Sequence, residues 1–171
     1  MTSVCPAADV ITLVNDPSAG IVLYDVANDK ALAELHLHPK FSNDWNCVPK
    51  WTADGRYLCY PDFKEGPVAA SGLNLQPIVH VYDRTVGKEI AIVEGAAAPA
   101  GPGPMPTTMV LAVFKDRSPS IAVYDAATGR SEPHGGTGRY PLDACGKQVL
   151  YIRLDTKGVF IVPLSSPAHK D

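Results

Sequence analysis

Short apolar runs separated by turn residues dominate the chain, and helical periodicity is almost absent. Runs of four to six mostly apolar residues occur at 10–14, 57–60, 78–82, 90–93, 109–114, 149–153 and 159–162. Runs of this length between turn signals are typical of β-strands. Nearly every link between them contains Gly, Pro, Asp or Asn, the residues that tight turns require. The pattern therefore predicts an all-β fold.

A phrase of apolar residues followed by Tyr-Asp recurs three times within this pattern. The pairs are Tyr24 and Asp25, Tyr82 and Asp83, and Tyr124 and Asp125. Four residues after each aspartate stands Asp29, Gly87 or Gly129, followed by Lys or Arg. Each copy predicts a strand, a tight turn and the start of another strand. The aspartates are 58 and then 42 residues apart, and about 40 residues is the length of a four-stranded propeller blade.

The flanks of the three copies align as well, because another strand precedes each of them. We interpret 61–77 as an inserted loop that lengthens the first spacing. The stretch 96–106 consists of Ala, Gly, Pro and one Met, a composition that predicts a flexible connector. A degenerate fourth copy covers 147–162, and in it Pro163 takes the place of the tyrosine.

Residues 48–60 contain Pro49, Trp51, Asp54 and Gly55 at the spacing of a known blade motif. They resemble the blade signature of TolB-like bacterial β-propellers, in which the innermost strand turns into the second. In this comparison Asp54 and Gly55 form the tight turn, with Gly55 at positive φ. Trp51 is expected to fill the space between neighbouring blades.

Residues 81–93 are similar to the YVTN-type propeller repeat, and 120–130 match it over the strand and the turn. The Gly-His and Trp-Asp pairs of a standard WD40 repeat are absent from the sequence. The resemblance implies four-stranded antiparallel blades within one domain over 1–171. The predicted repeat units cover residues 10–47, 48–95, 107–138 and 139–164, with approximate boundaries.

These units amount to about three and a half blades, whereas propellers close with four to eight. The first unit lacks an inner strand in the sequence pattern, and the last lacks an outer strand. Three interpretations follow: a fragment of a larger ring, a half that pairs with another copy or another protein, or a small four-bladed ring closed by the N-terminal residues. The first two are favoured jointly, because an open propeller exposes a blade face and a strand edge.

The charge and hydropathy of the sequence bear on where the protein is located and which partners it binds. The net charge is −3, and Lys and Arg do not cluster, so the sequence does not favour nucleic acid binding. No apolar run approaches the ~18 residues of a membrane helix. The first residues lack the features of a signal peptide, which predicts a cytoplasmic location. A periplasmic or extracellular location follows instead if the sequence is a piece of a longer chain.

The cysteines and histidines are the candidates for metal or redox chemistry. Cys5, Cys47, Cys59 and Cys145 match no zinc motif, and we expect free thiols, with disulfides as the alternative in an oxidising compartment. His36 and His38 share one face of an extended stretch near Asp44 and Cys47. A metal site there requires a third ligand, and nothing in the sequence fixes one, so no cofactor is assigned.

Two further groups of residues could be either functional or structural. Asp25, Asp83 and Asp125 recur like a ring of carboxylates, but their place at strand ends favours Asx-turns. The polar and aromatic patch of Trp45, Asn46, Lys50 and Trp51 is the candidate contact for a partner, with core packing as the alternative.

The sequence thus favours a non-catalytic propeller module that serves as a protein interaction or assembly scaffold. It contains no Gly-x-Ser-x-Gly nucleophile motif. One alternative is a metal- or cofactor-binding redox propeller with His36, His38 and His80 as ligands. Another is the propeller part of a larger hydrolase whose catalytic domain lies elsewhere.

Overall fold

The structure is a computed structural model that describes residues 2–14, 20–38, 48–66, 74–115, 118–134 and 138–164. These residues form antiparallel sheets joined by turns, which confirms the predicted all-β class. We name the four sheets blades I to IV in chain order. Within the described ranges there is no helix of the length and apolarity needed to cross a membrane.

Each blade is a meander whose strands pair in chain order. Blade I contains β1 (Thr2–Val4), β2 (Val10–Val14), β3 (Ile21–Asp25) and β4 (Lys30–Leu35). Blade II contains β5 (Lys50–Trp51), β6 (Tyr57–Glu65), β7 (Leu75–Asp83) and β8 (Lys88–Glu94). Blade III contains β9 (Ala96–Pro102), β10 (Thr108–Lys115), β11 (Ser118–Asp125) and β12 (Arg130–His134). Blade IV contains β13 (Arg139–Cys145), β14 (Gln148–Arg153) and β15 (Val159–Pro163).

The turn between the third and fourth strands has the same backbone conformation in blades I to III. Asp29, Gly87 and Gly129 have φ values of 50°, 72° and 73°. Glycine adopts this left-handed region without steric cost, and aspartate is one of the few other residues that tolerate it. This requirement explains why the repeat carries only Gly or Asp at the position.

Consecutive blades pack face to face, and each pair encloses its own apolar core. The core between blades I and II contains Val10, Ile21, Leu23, Trp51, Leu58, Tyr60 and Tyr82. The core between blades II and III contains Cys59, Val79, Val81, Met109, Leu111 and Tyr124. The core between blades III and IV contains Val110, Ile121, Val149 and Tyr151. Because side chains alternate along a strand, blades II and III bury both faces, whereas blades I and IV bury one.

The prediction of a flexible connector at 96–106 is wrong over Ala96–Pro102, which form the inner strand β9. Ala96 and Ala100 are buried, and a Cβ atom on Gly101 would lie 2.2 Å from the carbonyl oxygen of Ala144. Small residues are therefore required where the inner strands of blades III and IV approach each other. Proline is tolerated because β9 is an edge strand, whose outer amides have no ladder partner.

Two expectations about blade completeness are also corrected. Blade I does have an inner strand, because Thr2–Val4 pair with β2. The N-terminal residues therefore do not supply an outer strand for blade IV, and the blades do not form the small closed ring. Blade IV has three strands in the part that the structure describes. Its register places Val162, rather than Pro163, in the position of the repeat tyrosine, opposite Val149.

The interpretation of 61–77 as an inserted loop is wrong at both of its ends. Strand β6 continues through Pro61 to Glu65, and β7 already begins at Leu75, with nine paired positions between them. The hairpin from Tyr57 to Asp83 is nine residues longer than the one from Thr108 to Asp125, which accounts for nine of the 16 extra residues in the first spacing. Residues 67–73 lie outside the described ranges.

Candidate functional site

The repeat aspartates bind the turns that follow them. Asp83 is buried and accepts hydrogen bonds from the Thr85 amide (2.8 Å), the Thr85 hydroxyl (2.6 Å) and Arg56 Nη2 (2.8 Å). Burial alone raises the pKa of Asp83, but the Arg56 and Thr85 hydrogen bonds outweigh it and lower the pKa to about 2. The other two aspartates accept from the equivalent turns, Asp25 from Asn28 and Asp125 from Ala127 and Thr128.

The repeat tyrosine has a constant direction: it faces the blade that precedes its own in the chain. Tyr82 of blade II packs in the core with blade I, and Tyr124 of blade III packs in the core with blade II. Both are buried. Tyr24 of blade I has no preceding blade among the described residues; it is half-buried, and its hydroxyl donates to Asp29. The direction of this side chain therefore gives the stack of blades a polarity.

The TolB-like signature joins blade II to blade I. Trp51 is 4% exposed, and its Nε1 donates to Thr12 Oγ1 over 3.1 Å. The turn at Asp54 and Gly55 has Gly55 at φ 66°, and a Cβ atom there would lie 2.7 Å from Cys5 Sγ. Trp51 therefore offers little surface to a partner and instead fills the space between two blades.

The remaining residues of the predicted partner contact are only partly described. Trp45 and Asn46 lie outside the described residues. Lys50 is half-buried, and its Nζ lies 3.6 Å from Asp143 Oδ1 of blade IV. The side chain of Lys50 thus links the inner strands of two blades that are not consecutive.

A polar cluster lies on the face of blade II that packs against blade I. His80 Nδ1 is 2.5 Å from Glu89 Oε2, and the Tyr60 hydroxyl donates to the same oxygen over 2.9 Å. The Tyr60 and His80 rings are stacked, with centroids 4.9 Å apart. His80 Nε2 is 3.4 Å from Asp62 Oδ2, and the buried Asp62 also accepts from the His38 amide (2.9 Å).

The cluster stabilises the protonated imidazole of His80. Its Nε2 is buried and makes no hydrogen bond of good geometry, so only an ion pair with Asp62 compensates it. Burial lowers the pKa of His80, but its contact with Asp62 and the charge of Glu89 outweigh burial and raise the pKa above its usual value. Burial, followed by the charge of Glu89, raises the pKa of Tyr60.

We expect this arrangement to make stability depend on pH. A raised pKa in the folded state means that the stabilisation is complete below the unfolded value of about 6.5 and is lost as pH rises through the folded value. Each unit of difference contributes about 1.4 kcal/mol. Urea unfolding across this range should show wild-type stability falling with pH, and His80→Gln should remove that part of the slope. Parallel profiles for the two proteins would contradict the assignment.

The candidate metal ligands that lie in the described part of the chain do not form a ligand set. No group of three or more His, Cys, Asp or Glu side chains that could hold a metal ion occurs within the described ranges. Both ring nitrogens of His80 face carboxylates, and His38 Nε2 lies 3.6 Å from Glu65 Oε1. His36 is exposed, while Asp44 and Cys47 lie outside the described residues.

Blade IV leaves one face open beyond its core with blade III. Leu150 and Ile161 are opposite each other on this face, as are Ile152 and Val159. Ile161 is 67% exposed and Val159 60% exposed. A cavity of about 120 Å³ lies on the same face, lined by Asp143, Ala144, Cys145, Gln148, Leu150 and Ile161.

Among the described cysteines, Cys5 and Cys59 are buried and free, whereas Cys145 is exposed and free.

Blade I exposes the side of its sheet that points away from blade II. Its outward side chains are Val4, Ile11, Leu13, Val22 and Tyr24, which the strand pairing places on one side of the sheet. Val4 is 68% exposed and the others are half-buried. This is the face that carries the repeat tyrosine, and blades II and III bury the equivalent face against a preceding blade. We call the two surfaces the blade I end face and the blade IV end face.

Sequence reasoning did not identify the polar cluster. It predicted an exposed blade face but did not name the residues of either end face. The signal for the cluster was present, because Tyr60 and Asp62 alternate along one strand and therefore share a face. The signal for the end faces is the repeat itself. Tyr24 occupies the position that is buried between blades in the other two copies, and it lies in the first blade.

No protein-family model and no curated protein sequence matches the chain. Solved structures do match. Acylaminoacyl peptidase from Pyrococcus horikoshii superposes with a TM-score of 0.67 at 16% identity, over 96% of this chain and 31% of the peptidase. TolB from Acinetobacter baumannii gives 0.51 at 16% identity, over 97% of this chain and 44% of TolB. The β-propeller domain of the Trilobed protease from Pyrococcus furiosus gives 0.56 at 15% identity, over 88% and 47%.

The chain thus spans less than half the length of each of these three structures. Identities this low establish the fold alone. The blade architecture, the chain order of the strands and the likeness to propeller structures agree with one another. The chain has the β-propeller fold, and its described residues form four blades that do not close into a ring.

Proposed function

We propose that the chain is a non-catalytic propeller module that associates with protein partners through its two end faces. The observation that carries the proposal is the contrast between equivalent positions. The repeat tyrosine is buried between blades II and I and between III and II, but it is only half-buried on the blade I end face. A face built for interblade packing and left open is an association surface.

The exposure of the blade IV end face supports the same proposal. Single exposed apolar side chains are normal on protein surfaces. Here, however, Val159 and Ile161 are both more than half exposed, and Leu150 and Ile152 adjoin them on the same side of the sheet. A protein partner that covers this face would bury a continuous apolar area, as blade III does on the opposite side.

The proposal predicts that one substitution on an end face reduces partner capture without unfolding the chain. Affinity-tagged wild type, Ile161→Asp and Val86→Asp would be expressed in the organism that produces the chain, and the captured proteins would be quantified by mass spectrometry. Val86 is a matched control, because it is 54% exposed in a turn of blade II. We expect wild type and Val86→Asp to recover at least about tenfold more partner protein than Ile161→Asp does. Untagged copies of the chain count as partners. Equal recovery by all three baits would overturn the proposal.

A second candidate is the propeller part of a larger hydrolase. It is supported by the likeness to an acylaminoacyl peptidase and to the propeller domain of a protease. The same captured material would be labelled with a fluorophosphonate probe for active serine hydrolases. A labelled protein that is lost with Ile161→Asp would favour this candidate, whereas unlabelled partners would favour a scaffold.

A further inference from the structure

The two end faces of this chain are of complementary type. In the cores between blades I and II and between blades II and III, the face of one blade that points to the next blade in the chain, its following face, packs against the tyrosine-bearing face of that next blade. In the core between blades III and IV, Val162 takes the place of the tyrosine. The blade IV end face is a following face without a successor among the described residues. The blade I end face is a tyrosine-type face without a predecessor there. We propose that the chain pairs with a second copy of itself, so that the blade IV end face of each copy packs against the blade I end face of the other. The inference rests on the proposed function and names its partner.

Charge favours this pairing of unlike blades. The described part of blade I carries Asp9, Asp25, Asp29 and Glu34 against Lys30, a net charge of −3. Blade IV carries Arg139, Lys147, Arg153 and Lys157 against Asp143 and Asp155, a net charge of +2. Opposite charges steer blade I of one copy toward blade IV of the other and disfavour contacts between like blades.

Symmetry then limits the size of the assembly. A contact between two different faces generates a closed ring when the rotation closes, and an open filament when it does not. Two copies related by a two-fold axis contain both junctions and a total of eight blades. Propellers typically have four to eight blades, so the ring formed by two copies stays within the known range. The internal cores provide the geometric pattern for each junction.

The test is a mixing experiment followed by analytical ultracentrifugation. Wild type should sediment at twice the 18.2 kDa mass of the chain. Val4→Lys places a cation on the blade I end face, and Ile161→Asp places an anion on the blade IV end face. Each positions a repulsive charge opposite the other blade, so each variant alone should be monomeric. Both sites are about two thirds exposed, and Val86→Asp should remain dimeric.

An equimolar mixture of the two variants should recover the dimer. It contains one unaltered junction, and the second junction brings the introduced lysine and aspartate together. A monomeric wild type, a dimer formed by either variant alone, or a monomeric mixture would each overturn the inference. Circular dichroism checks folding. If a charged variant fails this check, Val4→Ser and Ile161→Ser are each measured alone, where a weaker dimer than wild type is expected and an unchanged dimer in both would overturn the inference. If wild type is monomeric but partner capture remains sensitive to Ile161→Asp, the proposed function stands and only the second copy is excluded.

Discussion

Gly101→Ala should destabilise the protein by about 3 kcal/mol, the upper part of the range for overpacked cores. The added Cβ atom would lie 2.2 Å from the carbonyl oxygen of Ala144, with two further backbone atoms of Ala144 at 3.0 and 3.1 Å. Backbone atoms cannot rotate away as the end of a side chain can, so blades III and IV must separate. For a chain of this length, the melting temperature should fall by roughly 10 °C.

Gly66→Ala is the matched control for this substitution. Its contacts would be the flexible amide of Gln76 at 3.0 Å and the backbone oxygen of Asn74 at 3.1 Å. Neither is as close as the 2.2 Å contact at Gly101, and we expect a change of about 1 kcal/mol or less. Thermal and urea unfolding of both variants measure the difference. If Gly101→Ala were as stable as Gly66→Ala, the close approach of the two inner strands would be disproved.

Trp51→Ala should reduce the free energy of unfolding by about 3–5 kcal/mol, the usual effect of removing a buried tryptophan. The side chain is 4% exposed and lies between blades I and II. Its removal leaves a cavity that two packed sheets cannot close, and it leaves Thr12 without the indole donor. Urea unfolding followed by tyrosine fluorescence would measure the loss.

Trp51→Phe separates the two contributions of this side chain. It keeps most of the apolar volume but removes the hydrogen bond to Thr12, so it should cost about 1 kcal/mol from the hydrogen bond, plus a smaller packing loss. A large loss of stability would support packing between blades, rather than contact with a partner, as the role of Trp51. If Trp51→Ala retained wild-type stability but lost partner capture, the surface role would be correct and the packing role wrong.

The fold was predictable where its determinants are local. Alternating apolar residues and Gly or Asp at positive φ specify the Tyr-Asp hairpins within about ten residues, so the strands and their chain order follow from the sequence. Strand β9 was missed because its determinant is distant. A run of Ala, Gly and Pro suits both a connector and an inner edge strand, and only the proximity of Ala144 distinguishes the two.

The polar cluster was unpredictable for a related reason. The alternation in β6 places Tyr60 and Asp62 on one face, but it does not indicate what that face meets. Glu89 reaches His80 across an irregularity in the pairing of β7 with β8, between Val81 and Tyr82. A shift of register of this kind depends on the twist of the assembled blade. It therefore leaves no mark in the spacing of the residues.

The distribution of the free thiols provides a separate reporter for each of the first two interfaces between blades. Cys5 lies in the core between blades I and II, Cys59 lies between II and III, and Cys145 is exposed. Burial raises the pKa of Cys59 to about 12, so its reactive thiolate is scarce until that interface opens. In a Cys47→Ser background, the rate at which an alkylating reagent modifies each thiol distinguishes detachment of blade I from separation of the central blades. The alkylation rates of Cys5 and Cys59 thus report whether blade I detaches before the central blades separate.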